Sequence, residues 1–281
     1  MRKEYIWTKS KARLLFIKAK PQADYNWLFL PGGPGLGSES LKPLTALLDL
    51  PGTIWHLDLP GDGSNHTRDD THSFSQWSKA LLEAVKALDK VILVAHSTGG
   101  MYAQATPALE EHLRGLVLMD SAPDASWQKI FIQEVEGHPI AGALLLNEEY
   151  AKNPNNQTLK ELTLLSAPYL FTEAGLKKDI SFLESLPYNY QSCDWSATHF
   201  DQSYVGAWIP KTIPTLIFAG SQDRITPLSL FQESQAFQRD NIIICEVPNA
   251  GHFPWIDNPA HVREVFSNYC GFLAQHEHRP C

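Results

Sequence analysis

Three side chains in this sequence have types that work together in acyl transfer: Ser97, Asp223 and His252. Ser97 sits in Ala95-His96-Ser97-Thr98-Gly99-Gly100, after the apolar run Val91–Val94 and before a segment of helical composition. Strand, sharp turn and helix with a hydroxyl at the apex is a near match to G-x-S-x-G, with Ala95 in the first glycine position. A serine hydroxyl is a weak nucleophile and needs a base. His252, in Pro248-Asn249-Ala250-Gly251-His252-Phe253-Pro254, can serve at neutral pH. A buried carboxylate such as Asp223 would fix the imidazole tautomer and stabilise the imidazolium. A tetrahedral intermediate also needs N–H donors for its oxyanion. Thr98, next after the serine, offers one, and the loop Pro31-Gly32-Gly33-Pro34-Gly35 offers another. Pro34 has no N–H, so Gly33 is the expected donor, and so tight a loop suggests a cis Gly33-Pro34 peptide.

The surrounding elements would have to bring these groups to one place. Glu4–Ser10 and Arg13–Lys20 alternate as two antiparallel strands. Trp27–Leu30, Thr53–Leu59, Lys90–Ala95, Gly115–Asp120, Pro214–Gly220 and Asn241–Val247 read as buried strands. Helical patterns lie between them: Leu41–Leu50, a helix starting at Ser73 with Gln76 as a capping-box partner, Met101–Leu113, Leu228–Phe237 and Ala260–Gln275. Alternating strands and helices predict a mostly parallel eight-stranded sheet flanked by helices. Residues 123–210 break the rhythm and read as a helix-rich insertion over the carboxyl ends of the strands. The organisation is thus core 1–122, insertion 123–210, core 211–281. The Gly-rich loop, Ser97, Asp223 and His252 each follow a strand, where ligands bind in open parallel sheets.

The order Ser, Asp, His at strand ends resembles the α/β-hydrolase superfamily over nearly the whole chain. Asp58-Leu59-Pro60-Gly61-Asp62-Gly63 adds to that resemblance. Pro31-Gly32-Gly33-Pro34-Gly35 is similar to the His-Gly-Gly-Pro-Gly loop of proline iminopeptidases and related esterases, with Pro31 in place of His. The resemblance implies catalytic roles for Ser97, Asp223 and His252 and a lid made from the insertion. Where proline iminopeptidases carry Gly-Gly-Ser-Trp-Gly, this chain has Ala-His-Ser-Thr-Gly. Those peptidases also grip a free amine with lid carboxylates, for which Glu148, Glu149 and Glu173 are the candidates. In some relatives the acid follows the strand after the elbow, which makes Asp120 an alternative to Asp223.

Trp127, Tyr169, Phe171, Tyr188 and Trp208 are the expected substrate-binding residues, with Tyr190 beside them, and suggest an apolar substrate. His96 is expected to pack or hydrogen-bond away from the serine. Asp62 is expected to bond its own turn. His276-Glu277-His278 has the look of a metal clip but reads as a chain-end segment. Net charge −8 argues against nucleic acid or anionic membrane as a partner. No run approaches the ~20 apolar residues of a membrane helix. Four cysteines without C-x-x-C fit a cytoplasmic chain with free thiols, Cys245 and Cys270 being buried and inert. The expected function is a serine hydrolase acting on a small-molecule ester or amide, with no metal or organic cofactor. A proline iminopeptidase-like aminopeptidase and a non-catalytic ligand receptor on the same fold are the alternatives.

Overall fold

A computed structural model describes residues 5–21, 23–66, 74–178 and 180–277. These form an eight-stranded sheet in the order β1-β2-β4-β3-β5-β6-β7-β8. In chain order the strands are β1 Tyr5–Trp7, β2 Arg13–Lys20, β3 Asn26–Leu30, β4 Gly52–Asp58, β5 Val91–His96, β6 Leu113–Met119, β7 Thr215–Gly220 and β8 Ile242–Val247. β1 pairs with β2, and β2 with β4, antiparallel, and every later pairing is parallel. This is the mostly parallel sheet expected from the sequence.

The helices are α1 Lys42–Leu47, α2 Trp77–Lys86, α3 Thr98–Gln104, α4 Trp127–Gly137, α5 Ala143–Lys152, α6 Asn156–Leu165, α7 Ala167–Leu170, α8 Glu173–Leu176, α9 Tyr190–His199, α10 Ser229–Gln232, α11 Pro254–Asp257 and α12 Pro259–Glu277. The period-two alternation of the strands divides the core in two. Leu28, Leu30, Leu93, Ala95, Leu116 and Leu118 face one layer with Trp77 and Leu81 of α2 and Phe231 of α10. Trp27, Phe29, Ile92, Val94, Val117 and Met119 face the other, with Leu44 of α1 and Val262 and Phe266 of α12. Burial on both faces explains why the central strands are apolar without interruption.

Three helices are shorter than their patterns suggested, and the one expected over Leu41–Leu50 covers only Lys42–Leu47. The helix expected over Met101–Leu113 begins earlier, at Thr98, and ends at Gln104. Thr106 precedes Pro107, which disfavours the helical region for it, and its φ −119°, ψ 76° lead into a 3₁₀ turn over Pro107–Glu111. The helix expected over Leu228–Phe237 covers only Ser229–Gln232, then breaks at the extended Ser234. The break lets Phe231 and Phe237 meet edge to face at 4.9 Å, which six residues of continuous helix would put on different faces. α2 is capped by Gln76 without a side-chain bond. Ser73, the expected capping residue, lies outside the described residues, as do His278 and Cys281. His276 is held on α12, its Nδ1–H donating to the Phe272 carbonyl at 3.0 Å. Among the described residues no helix is long and apolar enough to cross a membrane.

Candidate active site

β5 ends in a tight elbow. Ser97 adopts φ 51°, ψ −125°, a region that non-glycine residues rarely occupy. The surroundings hold it there. Its N–H donates to Met119 O at 2.8 Å, and its carbonyl accepts Ser121 Oγ at 2.8 Å and Gly100 N–H at 2.9 Å. The glycines are needed for close approach. A Cβ on Gly99 would lie 2.4 Å from Pro31 O, and one on Gly100 2.5 Å from Ser121 Oγ. Ala95 is still within β5, between Leu30 and Leu118, so a methyl group fits the first motif position.

Loops after three strands converge on this apex. His252 Nε2 is 3.0 Å from Ser97 Oγ. Its Nδ1 is 3.1 and 3.0 Å from the two Asp223 oxygens. Asp223 also accepts from the Ile225 amide at 2.9 Å, the Thr226 amide at 3.2 Å and the Thr226 hydroxyl at 2.9 Å. Burial pushes the Asp223 carboxyl up, but the adjacent imidazole and these donors outweigh it and hold the group below its ordinary range. The carboxylate therefore fixes the hydrogen on Nδ1 and turns a bare Nε2 towards the hydroxyl. The His252 backbone is pinned through its N–H to Leu170 O at 2.9 Å. His96 donates its Nε2–H to the His252 carbonyl at 3.0 Å. Burial depresses this imidazole to about 3, so it is a neutral strut.

The loop after β3 lies over the elbow. The Gly33-Pro34 peptide is cis, as its composition suggested, and Gly33 has φ 120°. Among the described residues neither the Gly33 nor the Thr98 N–H donates a hydrogen bond. Asp62 does more than close its own turn. Its Oδ1 accepts the Gly63 amide at 2.9 Å and the Gly35 amide at 2.7 Å, which ties it to the Gly-rich loop. Burial, then the neighbouring Asp58 carboxylate, push Asp62 up to about 7 against the pull of those amides. The stability linked to this raised pKa is full below the ordinary carboxylate range and is lost as pH rises through about 7. Asp62→Asn keeps an acceptor oxygen without the charge. Its unfolding free energy relative to the native chain should therefore rise between pH 5 and pH 8, as read by urea titration. Parallel pH curves for the two proteins would refute the linkage.

A cavity of about 220 Å³ opens in front of Ser97. Its walls are mostly apolar. Leu36 and Met101 contribute from the core, and Trp127, Phe131, Leu159, Leu170 and Cys193 from the segment between β6 and β7. No Asp or Glu lines it among the described residues. Asp120, Asp223 and His252 form a His/carboxylate group tight enough to consider for an ion, but the Asp223 oxygens are already taken by N–H and O–H donors.

The model of the family described as "Alpha/beta hydrolase family" matches residues 27–264. The chain belongs to that family. This alpha/beta hydrolase is 25% identical over 256 residues to the Mycoplasma pneumoniae protein named "Putative esterase/lipase 2", covering 88% of both chains. It is 22% identical to the pimeloyl-[acyl-carrier protein] methyl ester esterase of Xylella fastidiosa, covering 88% of this chain and 95% of that one. In structure it is similar to a proline iminopeptidase-related protein of Thermus thermophilus, with TM-score 0.72 and 20% identity over 98% of this chain and 100% of the other.

Of the aromatic residues expected to bind substrate, the hydrolase places only Trp127 on the cavity wall. The others have polar tips engaged elsewhere or rings held in the core. Tyr169 donates to His138 O at 2.7 Å and Tyr188 to Leu183 O at 2.9 Å. Trp208 donates to Ala103 O at 2.9 Å. Phe171 stacks on Phe253 at 5.3 Å. Tyr190 packs with the core layer of α1 and α12. Glu148, Glu149 and Glu173 are exposed, and none of them lines the cavity in front of Ser97. Phe131, Leu159 and Thr163 were missed. The spacing Trp127/Phe131 on α4 and Leu159/Thr163 on α6 is the i, i+4 signal that marks one helix face. Cys193, Cys245 and Cys270 are unpaired and only partly buried, and burial pushes the Cys245 and Cys270 thiols up to about 11.

Proposed function

We propose that this chain is a serine hydrolase that cleaves a carboxylic ester with a small, uncharged, apolar acyl group. The observation that carries this reading is the 3.0 Å approach of Ser97 Oγ to His252 Nε2, with Asp223 bound to the far ring nitrogen. His252 takes the Ser97 proton as Oγ attacks the carbonyl carbon. The N–H groups of Gly33 and Thr98 hold the oxyanion. The tetrahedral intermediate collapses as the imidazolium protonates the departing alkoxide. Water, deprotonated by His252, then attacks the acyl-enzyme and releases the acid and Ser97. The 123–210 segment acts as the lid, since α4, α6 and α9 supply much of the cavity wall.

The cavity's size and lining support the substrate class. At ~30 Å³ per small group, 220 Å³ accommodates about seven heavy atoms, a short acyl chain. The absence of a lining carboxylate among the described residues leaves nothing to grip a free ammonium, which weighs against an aminopeptidase. Esterase names among the relatives point the same way. Each methylene that the cavity buries should add ~0.8 kcal/mol, about fourfold in kcat/KM. A p-nitrophenyl ester series should thus climb to chains of about four to six carbons and fall beyond them. Prolyl and alanyl arylamides should turn over more slowly than any ester in the rising part. Faster turnover of the arylamides would overturn the ester assignment.

A further inference from the structure

A second carboxyl lies behind His252, and the mechanism above does not use it. Asp120, just past β6, is fully buried and adopts φ 45°. Its Oδ1 accepts the Gly220 amide at 2.9 Å. Its Oδ2 is buried, and among the described residues no donor reaches it. One polar side-chain atom from each of Asp120, Asp223 and His252 lies within 4.8 Å of the other two. Two ionised carboxylates this close, away from water, repel too strongly to coexist. Asp223 has donors on both oxygens and is the one that keeps the charge. The titratable groups facing Asp120 are Asp223 from the loop after β7, His252 from the loop after β8, and Asp257 from α11. Among the described residues Asp120 has no cationic ion-pair partner from Lys or Arg. Burial first, then the Asp223 charge, push its carboxyl well above the ordinary range. A proton on Oδ2 would turn an orphaned acceptor into a donor with Asp223 as its acceptor.

We propose that Asp120 is a positioning residue that keeps a proton on Oδ2 and donates it in a hydrogen bond to Asp223, so that two carboxyls behind His252 share one proton and one negative charge. The inference rests on the reading of Ser97, His252 and Asp223 given above. The shared proton draws charge away from the side of Asp223 that faces His252 and so moderates the basicity of the imidazole. It also gives the site a reserve. When Asp223 is made neutral, the repulsion that keeps Asp120 protonated disappears. Asp120 can then release its proton to solvent and become the carboxylate behind the ring.

The test uses pH–rate profiles with p-nitrophenyl butyrate on the full chain and on Asp120→Asn, Asp120→Leu, Asp223→Asn and the Asp120→Asn/Asp223→Asn double variant. Asp120→Asn keeps an amide donor for Asp223 and should cost no more than about tenfold, with the acidic limb near its native position. Asp120→Leu removes the donor, leaves Asp223 at full charge, and should move the acidic limb to higher pH. Asp223→Asn should lose about 10²-fold rather than the ~10⁴-fold of a triad whose acid has no neighbour. The double variant should fall at least about tenfold below the product of the two single effects. A native acidic limb in Asp120→Leu, or multiplicative effects in the double variant, overturns the proposal. If Asp120→Leu does not fold, the isosteric Asn cycle decides alone. Failure of the underlying reading looks different, because Asp223→Asn and the double variant would then both retain native rates.

Discussion

His252→Ala is expected to lower kcat for a short-chain ester by on the order of 10⁶-fold with little change in KM. The imidazole lies 3.0 Å from Ser97 Oγ, and in the proposed mechanism it receives the proton in both half-reactions, so its loss leaves both without a base. Ser97→Ala should cost about as much. The double variant Ser97→Ala/His252→Ala should be no worse than either single one, because nucleophile and base act as one unit. The measurement is single-variant and double-variant kinetics with p-nitrophenyl butyrate. Multiplicative losses would mean that the two groups work independently, which their geometry does not allow. The loss should be chemical rather than structural. His252 is held by its backbone to Leu170 and by neighbouring rings, so thermal unfolding of His252→Ala should shift by no more than a few degrees.

Gly32→Val is expected to damage both the fold and the chemistry. A Cβ on Gly32 would sit 2.5 Å from Ser97 Cβ and 2.8 Å from His96 O, and neither can yield without moving the elbow. Relief requires the loop after β3 to lift, which carries the Gly33 N–H out of reach of an oxyanion. Loss of one such donor costs about 10²–10³-fold in kcat. The overpacking should add ~1–3 kcal/mol of destabilisation. Gly137→Ala is the matched control. Nothing lies within 4 Å of a Cβ there, at the end of α4, so that variant should be neutral or slightly more stable. Equal behaviour of the two variants in kinetics and urea unfolding would show that the close approach at Gly32 has no consequence.

How much the sequence revealed depended on the kind of information each residue carries. Ser97, Asp223, His252 and Gly33 were legible because each lies just past a buried strand, in a turn whose Gly and Pro fix the backbone path. A parallel sheet then brings those strand ends together whatever else the chain does. The edges of the helices were less legible. The apolar pattern after Met101 continues past Gln104, but Pro107 ends the helix by backbone sterics that periodicity does not register. Substrate-facing residues were the least legible. An aromatic side chain in this segment can pack against a cavity or a core equally well. Whether it faces the cavity or the core depends on how α4 to α9 pack on one another. Tyr169, Tyr188 and Trp208 were drawn away by carbonyl partners for their O–H and N–H groups. Leu159, Leu170 and Cys193, which do line the cavity, look like ordinary buried helix residues in sequence. Asp62 and Asp120 read as turn and strand-end residues, and their chemistry arises only from which buried carboxylates the fold puts beside them.

The central claim is that Ser97 is a nucleophile activated by His252. A fluorophosphonate probe, read by intact mass and by mapping the modified peptide, tests it most directly. The arrangement predicts one adduct per native chain, located on Ser97, and no adduct on folded Ser97→Ala. A folded native protein that takes up no probe, or a Ser97→Ala variant labelled as fully as the native chain, would contradict it.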